Sequence, residues 1–246
     1  MPPLGRVPSP LHIAVMGRKG GVGKTTVSSG LASVFASQNN QVLVVDLDPQ
    51  SNSAYVLGVD VYAPGTADLL LGNRPEPLRA DDGLFVLAGG QNLTDHRIQA
   101  LDPEDLRDAM KGYTFDVVIY DCPPGSEFLE RQAIAASTDG LVVVDAHPLA
   151  LLGARRVMEA IELRKERNRR IPSKLSVIMS RMDNRRVADR ELWKGLEHYF
   201  PGVHRMTVRQ DAAISAATSD SVPVMKACPT SRAVEDLIEI SRWLRG

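Results

Sequence analysis

The stretch LHIAVMGRKGGVGKTTVSSGLASVF (11–35) decides the fold. Its first seven residues are apolar apart from His12, without polar alternation, which reads as a strand buried on both faces. From Lys24 onward the spacing is helical. The turn between them carries Gly20, Gly21 and Gly23 and closes on Lys24-Thr25-Thr26. The pattern G-x-x-x-x-G-K-[ST] is complete only in its second half, because Arg18 stands where the first glycine belongs. A phosphate cradle follows all the same. The glycines let the backbone around Val22 turn tightly and aim N–H groups at phosphate oxygens. The helix N-terminus adds its positive end. Lys24 reaches toward β- and γ-phosphates, and the Thr25 hydroxyl suits Mg²⁺.

Further apolar runs follow: QVLVVDLD (41–48), GLFVLAG (83–89), FDVVIYD (115–121), GLVVVDA (140–146) and KLSVIMS (174–180). They read as buried strands of a parallel sheet. Helical spacing occupies 24–38, 103–111, 127–137, 150–168, 188–199 and 231–245. Asp102 is a candidate N-cap for the second of these, with Pro103 at the first helical position. The alternation predicts a single-domain α/β P-loop fold, a mostly parallel twisted sheet with helices on both faces, over residues 11–246. The Pro-, Gly- and Asp-rich segment 49–82 is the least regular.

Composition sets the outer bounds. The 246 residues are 43% apolar and 24% charged, which fits a globular chain and excludes disorder throughout, a collagen repeat or a disulfide scaffold. Lys plus Arg is 29 and Asp plus Glu is 30, so a uniformly basic coat is excluded while a local patch is not. Cys122 and Cys228 fit free thiols in a reducing compartment. Residues 1–10, with four prolines, predict a disordered arm without the apolar core of a leader. No run approaches the ~18 apolar residues of a membrane span. The expected location is cytoplasmic.

KGGVGKTT (19–26) resembles the deviant Walker A motif of the ParA/MinD ATPases, with Lys19 in the place of the signature lysine. VLVVDLDPQSNS (42–53) resembles that family's switch I, and FDVVIYDCPPG (115–125) its Walker B and switch II. The likeness spans about residues 11–245 and is closest to the small ParA/Soj-type partition proteins. It implies an ATP hydrolase that uses ATP and Mg²⁺ and forms an ATP-sandwich homodimer, with Lys19 crossing to the partner's phosphates. Lys19, Lys24 and Asp48 are then the catalytic set, Asp48 orienting the attacking water. Thr25, Asp48 and Asp121 are the metal set. Asp46 either joins the metal's outer shell or caps the strand end. Adenine falls to Ser180, Arg181, Met182, Arg209 and Gln210. Cys122 reads as a buried thiol, because the iron-sulfur relatives' second cysteine before Walker B is missing here.

Charge points to a partner. Residues 155–190 hold twelve Lys/Arg against five acids. Within them RKERNRR (164–170) ends a helix, which is either a solvated helix end or a phosphate-binding patch. The resemblance implies nonspecific double-stranded DNA binding by the ATP-bound dimer. The candidate contacts are Arg164, Lys165, Arg167, Arg169 and Arg170 from the charge run. Arg185, at a position matching a DNA-contacting arginine of chromosomal ParA-like proteins, and Arg186 join them. A second such arginine is replaced by Ala213. No helix-turn-helix fits before residue 11. The expected function is plasmid or chromosome partition on the nucleoid, with slow hydrolysis stimulated by a ParB-like partner. One alternative is a MinD-like membrane switch, against which the acids of SRAVEDLIEISRWLRG (231–246) argue. The other is a ParA-like ATPase positioning protein cargo on the nucleoid.

Overall fold

The apolar runs become strands and the helical stretches cover them. In the computed structural model, which describes residues 5–246, the chain order is β1 (Leu11–Met16), α1 (Lys24–Ser37), β2 (Val42–Asp46), α2 (Asn52–Val56), α3 (Thr66–Leu70), β3 (Leu78–Asp81) and β4 (Leu84–Leu87). There follow α4 (His96–Gln99), α5 (Asp105–Ala109), β5 (Val117–Asp121), α6 (Glu127–Ala136), β6 (Asp139–Val144) and α7 (Pro148–Glu166). The last third holds β7 (Lys174–Met182), α8 (Val187–Tyr199), β8 (His204–Arg209), α9 (Ala212–Ser219), α10 (Val224–Ala227) and α11 (Arg232–Arg245). Among the described residues eight strands form one sheet in the order β3-β4-β2-β5-β1-β6-β7-β8.

Every neighbouring pair runs parallel except β3 against β4. β2, β5 and β6 are buried along their whole length, as strands covered on both faces must be. The chain leaves β1 toward β2 on one side of it and later returns to β6 on the other. β1 therefore sits at the topological switch, where a crevice opens at the carboxyl ends of the strands. Register fixes what meets there. Val15 on β1 and Asp46 on β2 both pair with Asp121 on β5.

Two strands go beyond the sequence expectation. β3 hairpins onto β4 through Asp82-Gly83, and β8 closes the opposite edge. Both are edge strands, and β8 (HRMTVR) is only partly buried, so neither shows a continuous apolar run. The expected Asp102 cap is corrected. Helix α5 starts at Asp105 after Glu104, and the Asp105 carboxylate accepts the Asp102 N–H at 2.8 Å. Of the expected disordered arm, residues 1–4 lie outside the described residues. Beyond them the chain is tied down. Val7 is buried and its N–H donates to Asn40 Oδ1 at 2.8 Å, and Arg245 donates to the Gly5 carbonyl at 2.6 Å.

Helix α11 lies on α1. Val234, Leu237, Ile240 and Leu244 are all buried, at the three- and four-residue spacing of one helix face. Gly30 allows the approach, since a Cβ there would stand 2.6 Å from Leu237 Cδ1. The apolar face of the C-terminal helix is thus spent inside the fold.

Candidate nucleotide-binding site

The cradle forms where β1 ends. Gly23 takes a left-handed conformation (φ 94°) that an L side chain rarely adopts, and it starts α1. No side chain caps this helix and no acid lies in its first turn, so its first N–H groups are open to an anion. Gly20 and Gly21 are exposed at the lip, whereas the Val22 side chain points into the core. Only the backbone of Val22 can serve a phosphate. Its carbonyl accepts the Ser180 hydroxyl, which also donates to the Val144 carbonyl at 3.2 Å. Ser180 thereby fastens the loop to the ends of β6 and β7.

Lys24 is buried, and its ammonium donates to the Lys19 carbonyl at 3.3 Å. Burial lowers its pKa, against the opposing pull of Asp121 foremost. The Asp121 carboxylate is the hub of the crevice. Its Oδ2 accepts the Thr25 hydroxyl at 2.7 Å and the Ser53 hydroxyl at 2.8 Å, and its Oδ1 accepts the Ser28 hydroxyl at 2.8 Å. Burial raises its pKa, and the three hydroxyls and Lys24 work against that rise. Asp46, fully buried beside it, is held well above the ordinary carboxylate range by burial and then by the Asp121 charge. Asp46 accepts the backbone N–H groups of Asp48 at 2.9 Å and Ser53 at 2.7 Å. Of the two roles open for it, the structure shows the cap. Asp46 folds the 48–53 loop over the strand end.

Asp48 does not join the Thr25–Asp121 pair. Its oxygens accept the Gln50 N–H at 2.9 Å and the Asn52 side-chain amide at 3.0 Å, within its own loop. The expected metal set thus comes together as Thr25 and Asp121 alone. A hydroxyl and a carboxylate beside a phosphate cradle are hard oxygen donors that suit Mg²⁺, which takes few protein ligands and keeps waters and phosphates. Among the described residues no group of three or more His, Cys, Asp or Glu side chains gathers as a metal site. Cys122 is buried, with its thiol pKa pushed well up by burial.

Beside α1 lies a cavity of about 220 Å³ lined by Gly23, Thr26, Ser180, Arg181, Arg209 and Gln210, among others. It collects most of the adenine candidates. Met182 does not line it. Met182 faces a neighbouring cavity with Asp183, Arg185 and Arg232, and its carbonyl accepts the Gln210 N–H at 2.9 Å. The Arg209 guanidinium is engaged by Asp236 at 2.7 Å and Glu235 at 3.2 Å, so its backbone and stem, not a free charge, are left for a base.

The basic candidates separate into two groups. Helix α7 leaves the carboxyl end of β6 and returns the chain to the amino end of β7. Arg164–Arg170 therefore lie at the sheet edge opposite the crevice, and Arg185 and Arg186 lie at the crevice edge. The 19 residues of α7 set these edges about 28 Å apart. Arg164 faces inward against the expectation, pairing with Glu104 at 3.0 Å. Lys165, Arg167, Arg169 and Arg170 are exposed. Arg185 and Arg186 are exposed too, and both pair with Asp183, at 2.8 and 4.0 Å.

Several working residues escape a reading of the motifs. Ser28 sits three positions after Thr25, and that spacing places both hydroxyls on one helix face. Ser53 belongs to the switch I segment but has no role implied by the resemblance. Arg18 grips α6 through Glu130 at 2.9 Å and Glu127 at 2.5 Å, a pairing no local pattern announces. Lys19 donates to Asp145 at 2.8 Å, and Asp145 falls in the apolar run 140–146 but in none of the nucleotide-binding motifs.

A strand, a glycine-rich turn and a helix at the switch point, with a buried carboxylate holding the first-turn threonine, define a P-loop nucleotide-binding protein. The chain belongs to the CobQ/CobB/MinD/ParA nucleotide binding domain family, whose model matches residues 13–224. It is 31% identical over 224 residues to the chromosome-partitioning ATPase Soj of Thermus thermophilus, covering 89% of each chain. It is 27% identical over 245 residues to the chromosome partitioning protein ParA of Myxococcus xanthus, covering 94% of this chain and 87% of that one. Its fold matches the ATP complex of a Cyanothece McdA variant with a TM-score of 0.85 at 19% identity, covering 96% of each chain. It also matches MinD of Pyrococcus horikoshii complexed with Mg-ADP, with a TM-score of 0.75 at 23% identity over 94% of each chain.

Proposed function

We propose that the chain is a ParA-type ATPase that dimerises around two ATP molecules, binds duplex DNA without sequence preference and partitions plasmid or chromosome copies with a ParB-like stimulating partner. The observation that carries this reading is the meeting of two segments on Asp121, helix α1 through Thr25 and Ser28 and the 48–53 loop through Ser53, under a cradle whose lip holds a second lysine, Lys19.

Each residue has a defined task in that reading. Backbone N–H groups of residues 20–25 and the Lys24 ammonium receive the β- and γ-phosphates. Thr25 and Asp121 would hold Mg²⁺, which neutralises phosphate charge when bound. Asp48 orients the attacking water once its loop closes over the γ-phosphate. Lys19 of each subunit reaches the other subunit's phosphates, a contribution in trans of about 10³–10⁵ in rate by analogy with an arginine finger. The crevice edge becomes the dimer interface, where the exposed Leu149 and Leu152 add apolar contact area. A patch near that interface is the one that dimerisation doubles into a continuous surface. Arg185 and Arg186 fit this better than the far-edge group of Lys165, Arg167, Arg169 and Arg170. The MinD-like reading loses support from α11, whose apolar face is packed against α1. No helix among the described residues is long and apolar enough to cross a membrane.

Light scattering with a saturating non-hydrolysable ATP analogue tests the reading. The expected result is a dimer for the wild type and a monomer for Lys19→Ala, with DNA retention following the dimer. A wild type that stays monomeric refutes it.

A further inference from the structure

Asp145 is the first residue after β6 and lies two positions before the His147 cap of α7. One of its oxygens, Oδ2, accepts both the Lys19 ammonium at 2.8 Å and the Arg181 guanidinium at 3.0 Å. The pair is largely withdrawn from water, with side-chain exposure of 24% for Lys19 and 14% for Asp145. The other oxygen, Oδ1, is buried without a hydrogen-bond partner among the described residues.

These contacts hold the signature-position lysine on its own chain. A lysine bound in cis to Asp145 is not available to a second subunit. We propose that Asp145 is a positioning residue that latches Lys19 in the single subunit and so sets the protein concentration at which ATP drives dimerisation. This inference rests on the trans role proposed for Lys19. Two opposing features suit a latch that must open. The partly buried ion pair favours the closed arrangement. The unsatisfied Oδ1 is a standing cost of that arrangement, so the contact is firm without being irreversible. Arg181, held in a left-handed conformation (φ 51°), supplies a second cation to the same oxygen. When Lys19 leaves, Asp145 keeps a partner and is not stranded as a lone buried charge.

The test compares wild type with Asp145→Asn, which keeps the shape and removes the charge, and Asp145→Glu, which keeps the charge. Sedimentation at a series of protein concentrations, with saturating non-hydrolysable ATP analogue, gives the dimerisation midpoint. A fluorescent ATP analogue, titrated at protein concentrations far below that midpoint, gives the affinity of the single subunit. Asp145→Asn is expected to lower the midpoint by about fivefold or more, the equivalent of two weak ion pairs, since each subunit of the dimer opens its own latch. Single-subunit affinity should stay the same, and Asp145→Glu should return the midpoint toward wild type. A purely structural role would disturb affinity and midpoint together. Asp145→Ser carries the same expectation and replaces Asp145→Asn if that variant does not fold. An unchanged or raised midpoint with intact folding overturns the latch while leaving the ATP dimer standing. A wild type that never dimerises overturns the latch and the underlying reading together.

Discussion

Removing either α1 hydroxyl from Asp121 separates the structural role of that carboxylate from its role toward the metal. Thr25→Val and Ser28→Ala each delete one hydroxyl donor to a carboxylate that is 1% exposed. A hydrogen bond to a charged group is worth about 1.5–3 kcal/mol. Two hydroxyls remain after either change, so the lower end applies, about 1.5 kcal/mol. For a chain of this size that corresponds to a fall in Tm of roughly 3–6 °C without nucleotide. The two variants should look alike in that measurement. With Mg-ATP they should diverge. A ligand at about 100 times its Kd adds about 2.7 kcal/mol of stability. Ser28→Ala should keep that Mg-dependent increment, and Thr25→Val should lose most of it. The assay is thermal denaturation with ATP, with and without Mg²⁺. If Thr25→Val retains the full Mg-dependent gain, or Ser28→Ala loses it equally, the assignment of Thr25 beside the metal fails.

Two other outcomes follow from contacts away from the crevice. Leu237→Ala empties the buried α11–α1 contact and should cost about 2–5 kcal/mol, measured by urea denaturation; a loss under about 1 kcal/mol would mean that α11 is not docked as described. The Asp183 carboxyl is lowered from 3.8 to about 2, chiefly by its hydrogen bonds from the Arg185 side chain. Its contribution to stability is fully present above the unfolded value near 3.8 and is lost as pH falls through about 2. Arg185→Ala should return the carboxyl toward 3.8 in a carbon-13 NMR titration, and a value still near 2 would assign the shift to another group.

What can be read from sequence follows from where the information sits. The inner strands are buried on both faces, so their residues announce themselves without reference to neighbours. The P-loop is equally local, since a turn, a lysine and a helix start are contiguous in sequence. β8 and β3 are not legible because an edge strand mixes apolar and polar residues. The Asp121 hub is half legible. Its carboxylate and Thr25 lie in recognisable segments, but the convergence of Ser28 and Ser53 depends on how β2 and β5 register. The basic residues show the opposite error. Arg164–Arg170 and Arg185–Arg186 are close in sequence, and only the crossover through α7 and the passage along β7 reveal that they sit on opposite edges. Arg164 counts as a free charge until Glu104 is placed beside it. Asp145 cannot be linked to Lys19, 126 positions away, without the fold.

If the first turn of helix α7 moves with the nucleotide loops, the helix would act as a lever. Its pivot is the first turn, beside Asp145 at the crevice, and its far tip carries the exposed arginines. Over a length of about 28 Å, a swing of about 5° at the pivot would carry the tip about 2.5 Å. The Arg164–Glu104 tether near that tip resists such a swing. A spectroscopic label on Arg167 would therefore report, from the opposite edge, on motion that begins among the nucleotide loops.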